Sequence, residues 1–160
     1  MSKIRNNNEL KKNGGFTLAE LLIVVAIIAV LAIIAIPIFS AKLENSREET
    51  DIANLRSAKA AAVAQYLTGT DLSGNTITSD GFTCYFDATS GDLVASKTSV
   101  TGYGRGTASK GGCEAVNLIV NPASGTTQTQ YTEDSDVAGQ LIQVEMDDAG
   151  QITLSWVAVK

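Results

Sequence analysis

A chain of 160 residues with 12 Lys/Arg against 17 Asp/Glu, a net charge of −5, has room for one folded domain beside a membrane segment. Its acidic balance makes it a poor general binder of phosphate backbones. It has no histidine, which removes the usual general base and the commonest metal ligand, and its two cysteines do not make a zinc site without further soft ligands.

Residues 1–15, MSKIRNNNELKKNGG, carry Lys3, Arg5, Lys11 and Lys12 against a single Glu9. No apolar stretch precedes Gly14-Gly15, so the segment does not read as an ordinary secretory signal. The apolar stretch comes after it. From Leu21 to Phe39 there is no charged or polar side chain, and counted from Phe16 the run is 24 residues interrupted only by Thr17 and Glu20. At about 1.5 Å per residue it spans roughly 36 Å, against about 30 Å for a hydrocarbon core. It is apolar on every side, which predicts a membrane helix and not an amphipathic one.

Two residues in this run stand out. Glu20 places a carboxylate near the start of the span, where charge is disfavoured; at the bilayer centre the cost is about 2.5–3.5 kcal/mol, less towards an interface. It either seeks a cationic partner or reaches the headgroups, helped by the positive end of the helix dipole. Pro37 removes one hydrogen-bond donor opposite the carbonyl of Ile33, which predicts a kink or a loosened turn.

Cations cluster before the span, whereas Lys42 and Arg47 after it are interleaved with Glu44, Glu48, Glu49 and Asp51. The positive-inside rule therefore puts the N-terminal segment in the cytoplasm and the C-terminal part outside. Taking four cations and one anion away with residues 1–15 leaves 8 Lys/Arg against 16 Asp/Glu, a net charge of −8 for the remainder.

Beyond Phe39 the segment SAKLENSREETDIANLRSAKAAAVAQYL is rich in helix formers and meets no break before Thr68-Gly69-Thr70. Ile52, Leu55, Lys59, Ala62 and Tyr66 recur at steps of three and four, with Ala58 and Val63 beside that stripe. The reading is one continuous helix of roughly 52 residues, about 78 Å long. Residues 68–80 are loop-forming. Strand-like runs follow at Phe82–Phe86, Leu93–Ala95, Ala115–Val120, Leu141–Met146 and Ile152–Val159. Asp147-Asp148-Ala149-Gly150 between the last two predicts a type I turn closed by a glycine with positive φ. The fold class is thus α+β: a long N-terminal helix packed on an antiparallel sheet of three to five strands.

Gly15-Phe16-Thr17-Leu18-Ala19-Glu20, placed after a short basic leader and before a long apolar helix containing Pro37, resembles the N-terminal signature of type IV prepilins and their relatives. The resemblance covers roughly residues 11–66. It implies cleavage between Gly15 and Phe16 by a membrane prepilin peptidase, methylation of the new N-terminus at Phe16, and a role for Glu20 in assembly as partner of the ammonium of a neighbouring subunit. It further implies a helical polymer of the chain itself, built by an inner-membrane assembly platform and an assembly ATPase from subunits held in the membrane beforehand. The expected divisions are a leader at 1–15, a transmembrane half-helix at 16–39, an amphipathic half at 40–67 and an extracytoplasmic sheet domain at 68–160. Relatives often also carry a glycine in the apolar helix; this chain has none between Phe16 and Gly69, so Pro37 is its only built-in weak point.

Outside the membrane Cys84 and Cys113 are expected to pair, closing a loop of about 30 residues worth roughly 3.5 kcal/mol in the chain-entropy model, with two buried free thiols as the alternative. This departs from the family's usual disulfide near the C-terminus, so no adhesive role is carried over. No nucleotide-binding or nucleophile motif is read: Gly102-Tyr103-Gly104-Arg105-Gly106 lacks a preceding strand and a following helix, and Arg105 with Lys110 reads as solvated charge. Glu133-Asp134-Ser135-Asp136 and Asp147-Asp148 are each too short for a calcium loop. Neither an enzyme, nor a cofactor, nor a metal site is expected.

The leading expectation is a structural subunit of a type IV pilus, a single-pass membrane protein before assembly and an extracellular filament after it. The alternative is a pseudopilin of a type II secretion or competence system, which shares every N-terminal feature. A secreted peptide with a double-glycine leader would not need the membrane helix, and a tethered receptor domain would not need Gly15-Phe16 or Glu20.

Overall fold

The computed structural model describes residues 15–78, 81–107, 116–119, 128–131 and 136–159, with 116–119 and 128–130 as backbone only. The elements in chain order are helix α1 (Leu18–Leu67), β1 (Phe82–Asp87), β2 (Asp92–Val94), a 3₁₀ turn at Lys97–Ser99, β3 (Val116–Ile119), β4 (Gln128–Tyr131), β5 (Gln140–Met146) and β6 (Ile152–Ala158). The chain divides into two compact units, Met1–Pro37 and Ile38–Lys160.

In the first unit the described residues are the start of α1 and the three residues before it. Every residue from Gly15 to Pro37 is exposed except Ala32, which is half-buried. The helix is long and apolar enough to cross a membrane. It continues on both sides of Pro37, whose missing N–H interrupts the ladder at one point only.

In the second unit α1 packs one face on a sheet. The helix ends where the amides of Thr68 and Gly69 bond back to the carbonyls of Gln65 and Tyr66. Its buried residues are Glu44, Glu48, Asp51, Ile52, Leu55, Ala58 and Ala62, a stripe at helical spacing. Of the positions expected on that stripe, Lys59 and Tyr66 are half-buried, while Val63 is exposed. Ala62 takes the inward position, and the next residue is turned about 100° away from it.

The sheet is antiparallel with order β2-β1-β5-β6, and β3 and β4 form a separate antiparallel hairpin. Its inward face carries Cys84 and Phe86 from β1, Ile142, Val144 and Met146 from β5, and Ile152 and Leu154 from β6, packed with Ile52, Leu55, Ala58 and Ala62. The alternation in QLIQVEM and ITLSWVA is the pleat of two central pairings seen from the core. Asp147–Gly150 forms the expected turn: the Gly150 amide donates to the Asp147 carbonyl, φ at Gly150 is 76°, and Asp147 Oδ1 accepts from the Gln151 amide at 2.8 Å. A side chain at Gly150 would also meet the ring of Tyr66 at 3.0 Å, so helix end and turn fit only with glycine there.

The strands lie within a residue or two of their expected positions. Strand β4, in the polar run Gln128–Tyr131, was not expected, because it has no apolar alternation.

Candidate functional site

Two constellations carry chemistry. The first opens the helix. Gly15, Phe16 and Thr17 precede α1 in non-helical conformation, and Phe16 is 93% exposed. Thr17 is the N-cap and Glu20 sits three residues on. The Thr17 amide and hydroxyl both donate to Glu20 Oε2 at 2.8 Å, and the Glu20 amide reaches Thr17 Oγ1 at 3.2 Å. This is a capping box: two amides without helical partners are satisfied by each other's side chains. The pattern Thr-x-x-Glu before an apolar run was present in the sequence as its signal. Phe16, Leu21, Ile23 and Val24 line an apolar hollow beside Glu20. A carboxylate is thus held at the foot of an apolar helix, bonded to the amide of the peptide bond between Phe16 and Thr17.

The second constellation lies in the other unit. Glu44, Glu48 and Asp51, which in the sequence stand out only as charges interleaved with Lys42 and Arg47, are 2%, 0% and 0% exposed. Their cover is the glycine-rich run read above as inert. The Arg105 amide donates to both oxygens of Asp51 at 3.0 Å, and the Gly106 amide to Oδ2 at 2.6 Å. The Thr107 amide and hydroxyl donate to Glu44 Oε1, and Tyr131 Oη to Asp51 Oδ2 at 3.3 Å. Arg47, on the exposed side, contacts Glu44 Oε2 at 3.2 Å. Behind the segment the Gly139 amide donates to the Gly104 carbonyl and the Val137 amide to the Gly106 carbonyl, so 101–107 is pinned between α1 and the entry to β5. A Cβ at Gly106 would stand 2.1 Å from Tyr131 Oη. Only glycine admits the contact.

Electrostatics divide the two outer acids. Burial pushes the Asp51 carboxyl above its ordinary value, against the opposing pull of the Gly106 and Arg105 amides and the Tyr131 hydroxyl. Burial acts on Glu44 in the same sense, but the Thr107 amide and hydroxyl with the Arg47 guanidinium outweigh it and hold the carboxyl below its ordinary value. Arg105 itself points its side chain to solvent and contributes its backbone.

Cys84 is a free thiol, fully buried on the inward face of β1, and desolvation pushes it up to about 12. Its expected partner Cys113 lies outside the described residues, as do Lys110, Glu133 and Asp134. Pro37 is exposed within α1. Among the described residues no group of three or more His, Cys, Asp or Glu is placed to hold a metal ion.

Against known proteins, residues 10–36 match the model of the prokaryotic N-terminal methylation motif. The matched stretch is the type IV prepilin-like leader with the first part of the apolar helix, and it contains Gly15, Phe16, Thr17 and Glu20. It supports a type IV pilin- or pseudopilin-like protein, a structural class and not an enzymatic one. Comparison with curated proteins and with solved structures finds no match.

Proposed function

We propose that this chain is a structural subunit of a type IV pilus. In this reading a prepilin peptidase removes residues 1–15, Phe16 becomes the methylated N-terminus, and residues 16–39 hold the subunit in the membrane until it joins the filament. The leader lies in the cytoplasm and the sheet domain outside. One observation carries the reading: the matched methylation motif runs without interruption into α1, whose apolar residues stay exposed on all sides up to Phe39. Such a helix requires lipid, and then other copies of itself, as its solvent. The partners are the peptidase, the membrane, an inner-membrane platform with its ATPase, and further copies.

Glu20 supplies register. Cleavage creates a cation at Phe16, and an unpaired carboxylate in an apolar layer is penalised, so an incoming ammonium at the right height is favoured. In the uncut chain the capping box satisfies Glu20, so the ammonium competes with the Thr17 amide and hydroxyl for one carboxylate. Glu20→Ala is expected to insert in membranes normally and to yield few filaments; a normal filament yield from that variant overturns the role given to Glu20.

Intact-mass analysis of sheared surface material and of membranes tests the whole reading. A chain beginning at Phe16, one methyl heavier and abundant in the sheared fraction, is the expected result. The same mass confined to membranes favours a pseudopilin. An N-terminus at Met1 or Ser2 in both fractions, with the peptidase present, overturns the reading.

A further inference from the structure

Within the unit Ile38–Lys160, helix α1 is closed on one face by two kinds of contact. From Ile52 to Ala62 the closure is hydrocarbon against the sheet. From Glu44 to Asp51 it is carboxylate against the amides of Arg105, Gly106 and Thr107. The two differ in what they become when parted. Separating Leu55 from Val144 and Ile142 exposes core to water. Separating Glu44 from Thr107 yields a carboxylate and an amide that water solvates well, so the net cost of that opening is small. Buried acids as a class add little net stability over apolar side chains of similar size. They do give a contact that can be undone without disturbing the core.

We propose that residues 105–107 form a releasable strap over α1, with Glu44 as its fastening point, while Tyr103 and Gly104 stay bonded to Gln140 at the entry to β5. Glu44 lies at the strap's outer end. It holds both the amide and the hydroxyl of Thr107, and its remaining oxygen meets the half-exposed Arg47. Asp51 lies deeper, under Gly106 and Tyr131, so release runs from Glu44 inwards. Opening frees the helix turns from Glu44 to Asp51 together with the three amides, while Ile52, Leu55, Ala58 and Ala62 stay on the sheet. Among the described residues the other groups facing the acids are Glu48 and Arg47 on α1, Arg105 in the strap, Tyr103 just before it, and Tyr131 on β4. The strap belongs to this unit alone and stands whether or not the chain forms filaments.

Amide hydrogen exchange on the full chain in detergent micelles tests it. In the unaltered protein the amides of Arg105, Gly106 and Thr107 exchange through a local opening, faster than Val144 in the middle of β5. Glu44→Ala is expected to speed exchange at Gly106 and Thr107 by about tenfold or more, leaving β5 unchanged. Gly106→Ala keeps every charge but forces the strap off its seat, and it should give the same local pattern. Exchange at Thr107 that is unaffected by Glu44→Ala, or that rises in step with β5, overturns the proposal.

Discussion

The two halves of α1 carry large apolar side chains that meet opposite fates. Between Leu18 and Phe39 the large side chains stay exposed, Leu31 at 61% and Ile33 at 73%, whereas in the second half Leu55 is 0% exposed. The difference is periodicity. Ile52, Leu55, Ala58 and Ala62 fall on one face, so a single sheet covers them. LLIVVAIIAVLAIIAIPIF has no bare polar face to turn to water, so no partner on one side suffices. Among the described residues only the patterned half has a covered face.

The largest effect that sharpens this contrast is a pair of identical truncations. Leu55→Ala is expected to lower the stability of the sheet unit by about 3 kcal/mol, the usual cost of a buried leucine, read from denaturant unfolding in detergent. Leu31→Ala should change that stability by less than about 0.5 kcal/mol. Comparable losses from both would break the division of the helix into two environments.

A smaller effect tests the sheet on which the second half rests. The β1–β5 ladder runs from Phe82–Met146 to Tyr85–Gln143, and beyond it the Tyr103 hydroxyl takes over. It accepts the Ile142 amide at 3.0 Å and donates to the Phe86 carbonyl at 2.9 Å, while its ring meets Phe86 and Trp156 edge-on. Tyr103→Phe keeps the ring contacts and leaves two backbone groups without that partner, a loss of about 1–3 kcal/mol in the same unfolding experiment. An unchanged midpoint would show that the strands close up without the hydroxyl.

Much of this fold was legible in the sequence, for reasons that particular residues make plain. The long helix follows from an apolar span continued by a segment rich in helix formers, with no glycine between Phe16 and Gly69, and the β5–β6 hairpin from its alternation and Asp147-Asp148-Ala149-Gly150. The capping box of Thr17 and Glu20 was missed, although Thr-x-x-Glu before an apolar run is its signal. Strand β4 was not legible, since Gln128–Gln130 offers no apolar face. The buried acids were not either. Glu44, Glu48 and Asp51 look like a solvated edge, and what buries them is a row of backbone amides brought from more than fifty residues away. Backbone donors have no side-chain signature. The alternate glycines of Gly102-Tyr103-Gly104-Arg105-Gly106 were the trace they left, marking a segment that must approach other atoms without a Cβ.

The smallest expected effect separates the two closures of the second half by their response to acid. The hydrocarbon face carries one titratable group, the Cys84 thiol pushed up to about 12, so pH dependence below pH 7 in this region belongs to the strap. Glu44, held below its ordinary 4.5, contributes stability that is full above that value and is lost as pH falls through its lowered folded value. Asp51, pushed above its ordinary 3.8 by burial, acts in the opposite sense: its contribution is present at low pH and is lost as pH rises through its raised folded value. Unfolding free energies measured from pH 7 downward should therefore differ from the unaltered chain with opposite slopes, Glu44→Gln losing less on acidification and Asp51→Asn gaining less. Glu48, Arg47, Arg105, Tyr103 and Tyr131 are unaltered in both variants, so the difference between the two curves isolates the two carboxylates. Slopes of the same sign would mean that the amides of 105–107 hold both acids in one way, and the contrast between an outer fastening at Glu44 and an inner seat at Asp51 would be lost.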